Sequence, residues 1–230
     1  MSWINVEAED GTFSAYVARP VSGSGPAVVV VQEIFGVNED LRATCDELAK
    51  LGFIAVSPDL FWRVTPRIEM NRLDEAEWAR GFELYKSLDF DRAVRDLAAV
   101  VTLARSLEGA SGRVGVMGFC LGGLLAFLTG ARTDVDAAVS YYGGGTERYV
   151  DEARAVTTPM TLHLAGEDEY MPAPAREKIV ATLKDRPNTD VFVYPGCAHA
   201  FARHKGVHYD QDAARLANAR TEAFLARNLG

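Results

Sequence analysis

Val114-Gly115-Val116-Met117-Gly118-Phe119-Cys120-Leu121-Gly122-Gly123 passes from an apolar strand, Val114 to Phe119, into a helical stretch, Leu121 to Gly130, with almost no spacer. Such a junction needs a sharp, strained turn, and small residues on either side of a nucleophile are what that turn requires. Read this way, the segment is a nucleophile elbow with cysteine in the serine position. The geometry exposes the Cys120 side chain at the carboxyl end of a sheet and aims a helix amino terminus at it, which favours a thiolate. The backbone N–H of Leu121 becomes an oxyanion donor. A glycine-rich turn holding a buried, inert cysteine is the alternative, because free cysteine is among the most buried residue types.

Working outward, the chain alternates buried strands with amphipathic helices, which implies a parallel sheet covered on both faces. A β-like opening spans Ile4 to Glu7 and Phe13 to Ala18, with a turn at Glu9-Asp10-Gly11. Strands follow at Ala27 to Gln32, Phe53 to Ser57, Ala137 to Tyr142, Met160 to Ala165 and Val191 to Tyr194. Asn38 is placed to cap a helix carrying Leu41, Cys45 and Leu48 on one stripe, with Gly52 as its stop. Two more helices are expected in Leu73 to Lys86 and around Val94, Leu97 and Val101, and a last one in about Ala213 to Leu225 with Leu216, Ala219, Ala223 and Phe224 at helical spacing. The fold class is therefore α/β, a single doubly wound domain over 1–230 with a mostly parallel central sheet.

Composition narrows the function. The 230 residues carry 24 Lys and Arg against 32 Asp and Glu, a formal charge of −8. That balance leaves no basic stripe for phosphates, so nucleic acid is not an expected partner. Cys45, Cys120 and Cys197 are too few and too scattered for a disulfide framework. No leader-like start and no long apolar run is visible, Ala27 to Val31 being the longest, so a soluble, cytoplasmic protein without membrane association is expected.

Two later segments fall where a nucleophile at Cys120 needs them. Leu164-Ala165-Gly166-Glu167-Asp168 ends a strand in a turn bearing an acid, and Gly196-Cys197-Ala198-His199 follows the last strand. Nucleophile, acid and histidine thus come in the order of an α/β-hydrolase. His199 would take the thiol proton or hold the ion pair, and Asp168 would fix its tautomer. Asp168 could instead cap a nearby helix, leaving Glu167 or Glu169 as the orienting acid, and a loop histidine is often merely solvated.

Together with Gln32-Glu33-Ile34-Phe35-Gly36-Val37-Asn38, Pro58-Asp59-Leu60, Tyr141-Tyr142-Gly143 and His199-Ala200-Phe201-Ala202-Arg203, these segments make the chain resemble the dienelactone hydrolases, a cysteine-using branch of the α/β-hydrolases. The resemblance covers nearly the whole chain. It implies Cys120 as nucleophile, His199 as base, Asp168 as orienter, Glu33 as an acid that helps manage the thiol proton, and the N–H groups of Ile34 and Leu121 as an oxyanion hole. It also makes Arg203 a holder of a substrate carboxylate through its forked donors. On physical grounds alone, Glu33 needs a partner after so apolar a strand, and pairing with an arginine would serve equally; Arg203 could be a surface charge.

The chain departs from the family between Phe61 and Phe90, where a second substrate-binding arginine is expected. Arg80 lies nearby, but an ungapped register puts Trp78 in that place, with Phe82 and Tyr85 at the aromatic positions; Arg63 and Arg67 are other available cations. No cofactor is expected. The spacing of His199, His204 and His208 fixes no ligand geometry, so no metal is expected either.

The chemistry of sulfur limits the substrate. A tetrahedral intermediate on cysteine expels the thiolate again unless the other leaving group is a stabilised enolate or phenolate. The expectation is hydrolysis of an activated lactone or enol ester, of the type that opens dienelactone to maleylacetate, through a Cys120 acyl-thioester. The partner is thus a small, carboxylate-bearing lactone or ester, acted on by a monomer or small homo-oligomer. A general carboxylesterase on the same fold is the nearer rival, and a thiol redox sensor pairing Cys120 with Cys197 the more distant.

Overall fold

The computed structural model describes residues 2–204 and 206–230, and contains eight strands and six α-helices among them. The fold is mixed α/β, its strands mostly parallel and flanked by helices. The chain divides into two compact units, the first ending at Val114 and the second covering Gly115–Gly230.

In the first unit, β1 (Ser2–Ala8) and β2 (Gly11–Ala18) form an antiparallel hairpin. β3 (Gly25–Val31) pairs parallel with β4 (Ile54–Pro58), and β4 pairs antiparallel with β2, giving the order β1-β2-β4-β3. Ala27 to Val31 are wholly buried. A run of valines covered on both faces is what a continuous apolar strand encodes, each side chain contributing about 1.5–3 kcal/mol by leaving water.

Helix α1 (Glu39–Lys50) begins where Asn38 Oδ1 accepts the Leu41 N–H at 3.1 Å, and its inward face carries Leu41, Cys45 and Leu48 as the spacing requires. α2 (Glu75–Ser87) and α3 (Phe90–Ser106) start at Asp74 and Asp89, whose carboxylates accept first-turn N–H groups. Arg63 forks onto buried Asp96, with contacts at 2.6 and 2.9 Å, and onto Asp10 at 2.6 and 3.0 Å. Paired with two acids, its guanidinium is held above its ordinary pKa. The Arg67 guanidinium lies 4.1 Å over the Trp3 ring. Both cations are thus engaged in holding the first unit together.

The second unit is built on four parallel strands in the order β5-β6-β7-β8. These are β5 (Ala110–Phe119), which enters the unit at Gly115, β6 (Ala137–Tyr141), β7 (Met160–Glu167) and β8 (Thr189–Ala198). Three helices complete it: α4 (Leu121–Arg132), α5 (Ala173–Leu183) and α6 (Gln211–Leu229). Leu121 to Gly130 is buried on every side, so α4 shows no polar stripe.

Helix α6 corrects the sequence reading. Of the four residues at the expected spacing only Phe224 is inward, while Leu216, Ala219 and Ala223 face solvent. The buried stripe is Ala214, Ala217, Thr221, Phe224, Leu225 and Leu229. A hydroxyl sits at its centre because hydrogen-bond partners await it there, and apolarity alone does not anticipate that.

Candidate active site

Cys120 occupies the junction of β5 and α4 with φ 57° and ψ −118°, a backbone region costly to any residue with a Cβ. Three hydrogen bonds hold it there. Its N–H donates to the Tyr141 carbonyl at 3.0 Å, and its own carbonyl accepts from Gly123 N at 3.0 Å and Leu124 N at 3.2 Å. A Cβ at Gly118 would collide with the Gly122 carbonyl, and one at Gly123 with that of Tyr141. The small residues around Cys120 are therefore required by close backbone approach. No side chain caps α4, leaving its partial positive end, which begins at Leu121, beside the sulfur.

Asp168 follows the end of β7 and His199 the end of β8, and both are buried. His199 Nδ1–H donates to both carboxylate oxygens of Asp168, at 2.9 and 3.0 Å. Tyr170 N donates to Asp168 Oδ1 at 2.8 Å, fixing the acid in turn. Glu167 and Glu169 are exposed, so the acid against His199 is Asp168 and neither neighbour.

Two rings meet His199 edge to face, Tyr142 at 5.1 Å and Tyr170 at 4.8 Å. Its main-chain carbonyl accepts from His208 Nδ1 at 3.1 Å. Burial pulls the His199 pKa down, but Cys120 and Asp168, each by charge and by a hydrogen bond, outweigh it and lift the pKa from 6.5 to about 10. The charged imidazole is favoured, its partners supplying what lost water would have. Nε2, the ring nitrogen that Asp168 leaves over, is buried, and Cys120 acts on this ring by a side-chain hydrogen bond as well as by charge. Cys120, Tyr142 and Ala200 all have positive φ, at 57°, 37° and 64°, so backbone strain gathers here.

Leu121 opens α4, and Arg203 is half-buried on the turn after His199, its N–H bonded to the Ala200 carbonyl at 3.0 Å. The Tyr170 phenol is raised by burial and by the charges of Glu169, Cys120 and Asp168, while Arg203 opposes them. Tyr170 is thus a site residue that the sequence reading missed, the available signal being an aromatic two positions beyond the acid in Asp168-Glu169-Tyr170. His208 and His204 turn to other partners, the His199 carbonyl and the Tyr209 ring.

The other sequence candidates lie in the first unit. Glu33 is half-buried just after β3, and Ile34 is buried beneath α2, where Gly81 approaches its carbonyl. Trp78 packs against Phe35 at 5.1 Å and Phe82 at 5.4 Å, and Tyr85 against Phe90 at 5.9 Å. Arg80 is exposed on another side of α2 and donates to Thr65 Oγ1 at 3.2 Å.

A strained cysteine at the carboxyl end of a parallel strand, with a carboxylate-bound histidine from a later loop, is the arrangement of an α/β-hydrolase. Residues 13–229 match the dienelactone hydrolase family. A putative carboxymethylenebutenolidase of Azospirillum brasilense is 46% identical over the full length of both chains, and the carboxymethylenebutenolidase of Pseudomonas putida is 39% identical over 97% of this chain and 95% of that one. Among solved structures, a putative dienelactone hydrolase from Klebsiella pneumoniae superposes with a TM-score of 0.86 at 28% identity, covering 98% of each chain. The chain belongs to the dienelactone hydrolase family, and with it to the enzymes that hydrolyse carboxylic esters.

Proposed function

We propose that the protein opens an activated, carboxylate-bearing lactone of the dienelactone type through a thioester on Cys120. The observation that carries this reading is the strained Cys120 together with His199 clamped by Asp168 at 2.9 Å. The thiolate attacks the lactone carbonyl, forming the C–S bond, and the Leu121 N–H stabilises the developing oxyanion. The ring C–O bond then breaks, and His199 gives its Nε2 proton to the departing enolate. Neutral His199 next takes a proton from water, which attacks the thioester; the C–S bond breaks and the thiolate–imidazolium pair is restored. Throughout, Asp168 holds the Nδ1–H and balances the cation.

Arg203, on the turn that carries His199, suits the substrate carboxylate. The roles that the resemblance gives Glu33, Ile34, Arg80, Phe82 and Tyr85 stay within this proposal. Three free cysteines fit a reducing, cytoplasmic setting. Incubation with cis- and trans-dienelactone should abolish the conjugated absorbance and yield maleylacetate; unchanged absorbance with both isomers would refute the substrate class.

The second reading is a general carboxylesterase on the same fold, acting on uncharged esters; Trp78, in the place of the family's second arginine, packs against Phe35 and Phe82. A panel of neutral and anionic esters separates the two by which series has the higher kcat/KM. The redox alternative is disfavoured because burial and the Asp210 charge push the Cys197 thiol up, keeping the needed partner protonated.

A further inference from the structure

The second unit buries another histidine that the proposed reaction does not use. His163 lies on β7 with no exposed surface, and both ring nitrogens are bonded: Nδ1 to the Tyr194 hydroxyl at 2.8 Å and Nε2 to the Thr221 hydroxyl at 2.9 Å. Thr221 Oγ1 is 2.7 Å from the Tyr141 hydroxyl, which donates to Asn218 Oδ1 at 3.0 Å. At the other end, Arg220 donates to the Tyr194 hydroxyl at 3.1 Å.

The position of every proton follows from the ends. Asn218 Oδ1 can only accept, which takes the Tyr141 hydrogen and leaves the Thr221 hydrogen for Tyr141, while Arg220 can only donate, so the Tyr194 hydrogen is left for His163 Nδ1. The ring proton is then on Nε2 and is given to Thr221. Thr221 passes its one hydrogen to Tyr141, whose own goes to Asn218. Five bonds run in one direction with no donor or acceptor wasted, which is what a buried polar network requires to stabilise a fold. Burial, with the Arg220 charge adding, lowers the His163 pKa to about 3, so the ring carries one proton and the direction persists at neutral pH.

Each strand in this chain of bonds leads to one catalytic group. The Tyr141 carbonyl, on β6, accepts the Cys120 N–H at 3.0 Å. His163 lies five residues before Asp168, and its carbonyl accepts the N–H of Tyr142, the ring packed on His199. Tyr194, on β8, packs at 4.7 Å against Phe201 in the His199 loop. We infer that this directed network, with His163 in its Nε2–H tautomer at the centre, is the device that holds β6, β7 and β8 in the register placing Cys120, Asp168 and His199 for reaction. His163, Thr221 and Tyr194 are positioning residues, and the inference rests on the thioester reading above.

The test joins a spectroscopic and a kinetic measurement. Nitrogen-15 NMR of histidine-labelled protein, with His163 assigned by its loss in His163→Gln, should find the ring proton on Nε2; a proton on Nδ1 overturns the direction and with it the network. Thr221→Val should lower kcat and the rate of Cys120 alkylation by iodoacetamide about tenfold or more, with KM within a factor of about two, because small misplacement of reacting groups costs rate before it costs binding. Thr221→Ser, which restores the hydroxyl, should recover both rates to within about twofold. Wild-type rates in folded Thr221→Val, or a serine variant as slow as the valine one, overturn the inference. Should Thr221→Val fail to fold, Tyr194→Phe and the wild-type tautomer decide by the same criteria. Cys120→Ala separates the two claims: normal turnover by it defeats the thioester reading, whereas a dead Cys120→Ala beside an unimpaired Thr221→Val defeats the network alone.

Discussion

Two histidines of the second unit are equally hidden from water and oppositely charged in tendency. At the ends of β7 and β8, His199 has an acid on one side and the Cys120 side chain as its other partner, and its pKa rises to about 10. Deeper along the same strands, His163 has only hydroxyls on its nitrogens and Arg220 beyond them, and its pKa falls to about 3. Burial opposes charge at both, so the neighbours decide the outcome. An imidazole becomes a catalyst where its proton is wanted in two states, and a brace where one state is enforced.

The largest effect that could break this contrast is loss of the thiol. Cys120→Ala and His199→Gln should each lower kcat/KM by about 10⁴-fold or more, because a nucleophile and its base act as a unit; a few-fold loss in steady-state assays of either would remove that residue from its role.

The second concerns stability against pH. Because His163 stays neutral when folded yet takes a proton near 6.5 when unfolded, stability should be full above about pH 6.5 and fall as pH drops toward 3, by at most about 1.4 kcal/mol per unit. The sign for His199 is the reverse: its stabilisation is present below 6.5 and lost as pH rises through about 10. Urea unfolding across the acid range should find the slope reduced in His163→Gln, and an unchanged slope would contradict the assignment.

The smallest effect belongs to Arg203. Arg203→Ala should raise KM for anionic lactones about tenfold while leaving neutral esters within about twofold, the size expected of one charge-assisted contact at a partly wet site. Equal changes in both series would take Arg203 out of the substrate site.

The parts of the molecule legible from sequence are those where backbone geometry restricts residue type. Gly118 and Gly123 mark the elbow because nothing with a Cβ fits, and Asn38 marks the start of α1 because its side chain caps it. Asp168 stands out because it directly follows the buried strand β7, and His199 because it directly follows the last strand. The rest is written in tertiary contacts. Thr221 faces inward on α6 while Leu216 faces out, because β6 and β7 present a tyrosine and a histidine to bond. The segment 61–90 is similar: Arg63 looked available until Asp10 and Asp96 were found to hold it, and Arg80 projects from α2 on a side away from Trp78 and Phe82. Tyr170 is marked in the sequence only as an aromatic two positions beyond the acid, and it is the fold that brings its ring to His199.

The central claim is a covalent acyl group on sulfur. Rapid acid quenching of enzyme mixed with dienelactone, followed by peptide mass mapping, should find the substrate's mass added to the peptide containing Cys120, and to no peptide in Cys120→Ala. Full turnover with that peptide unmodified at every quench time would contradict the account.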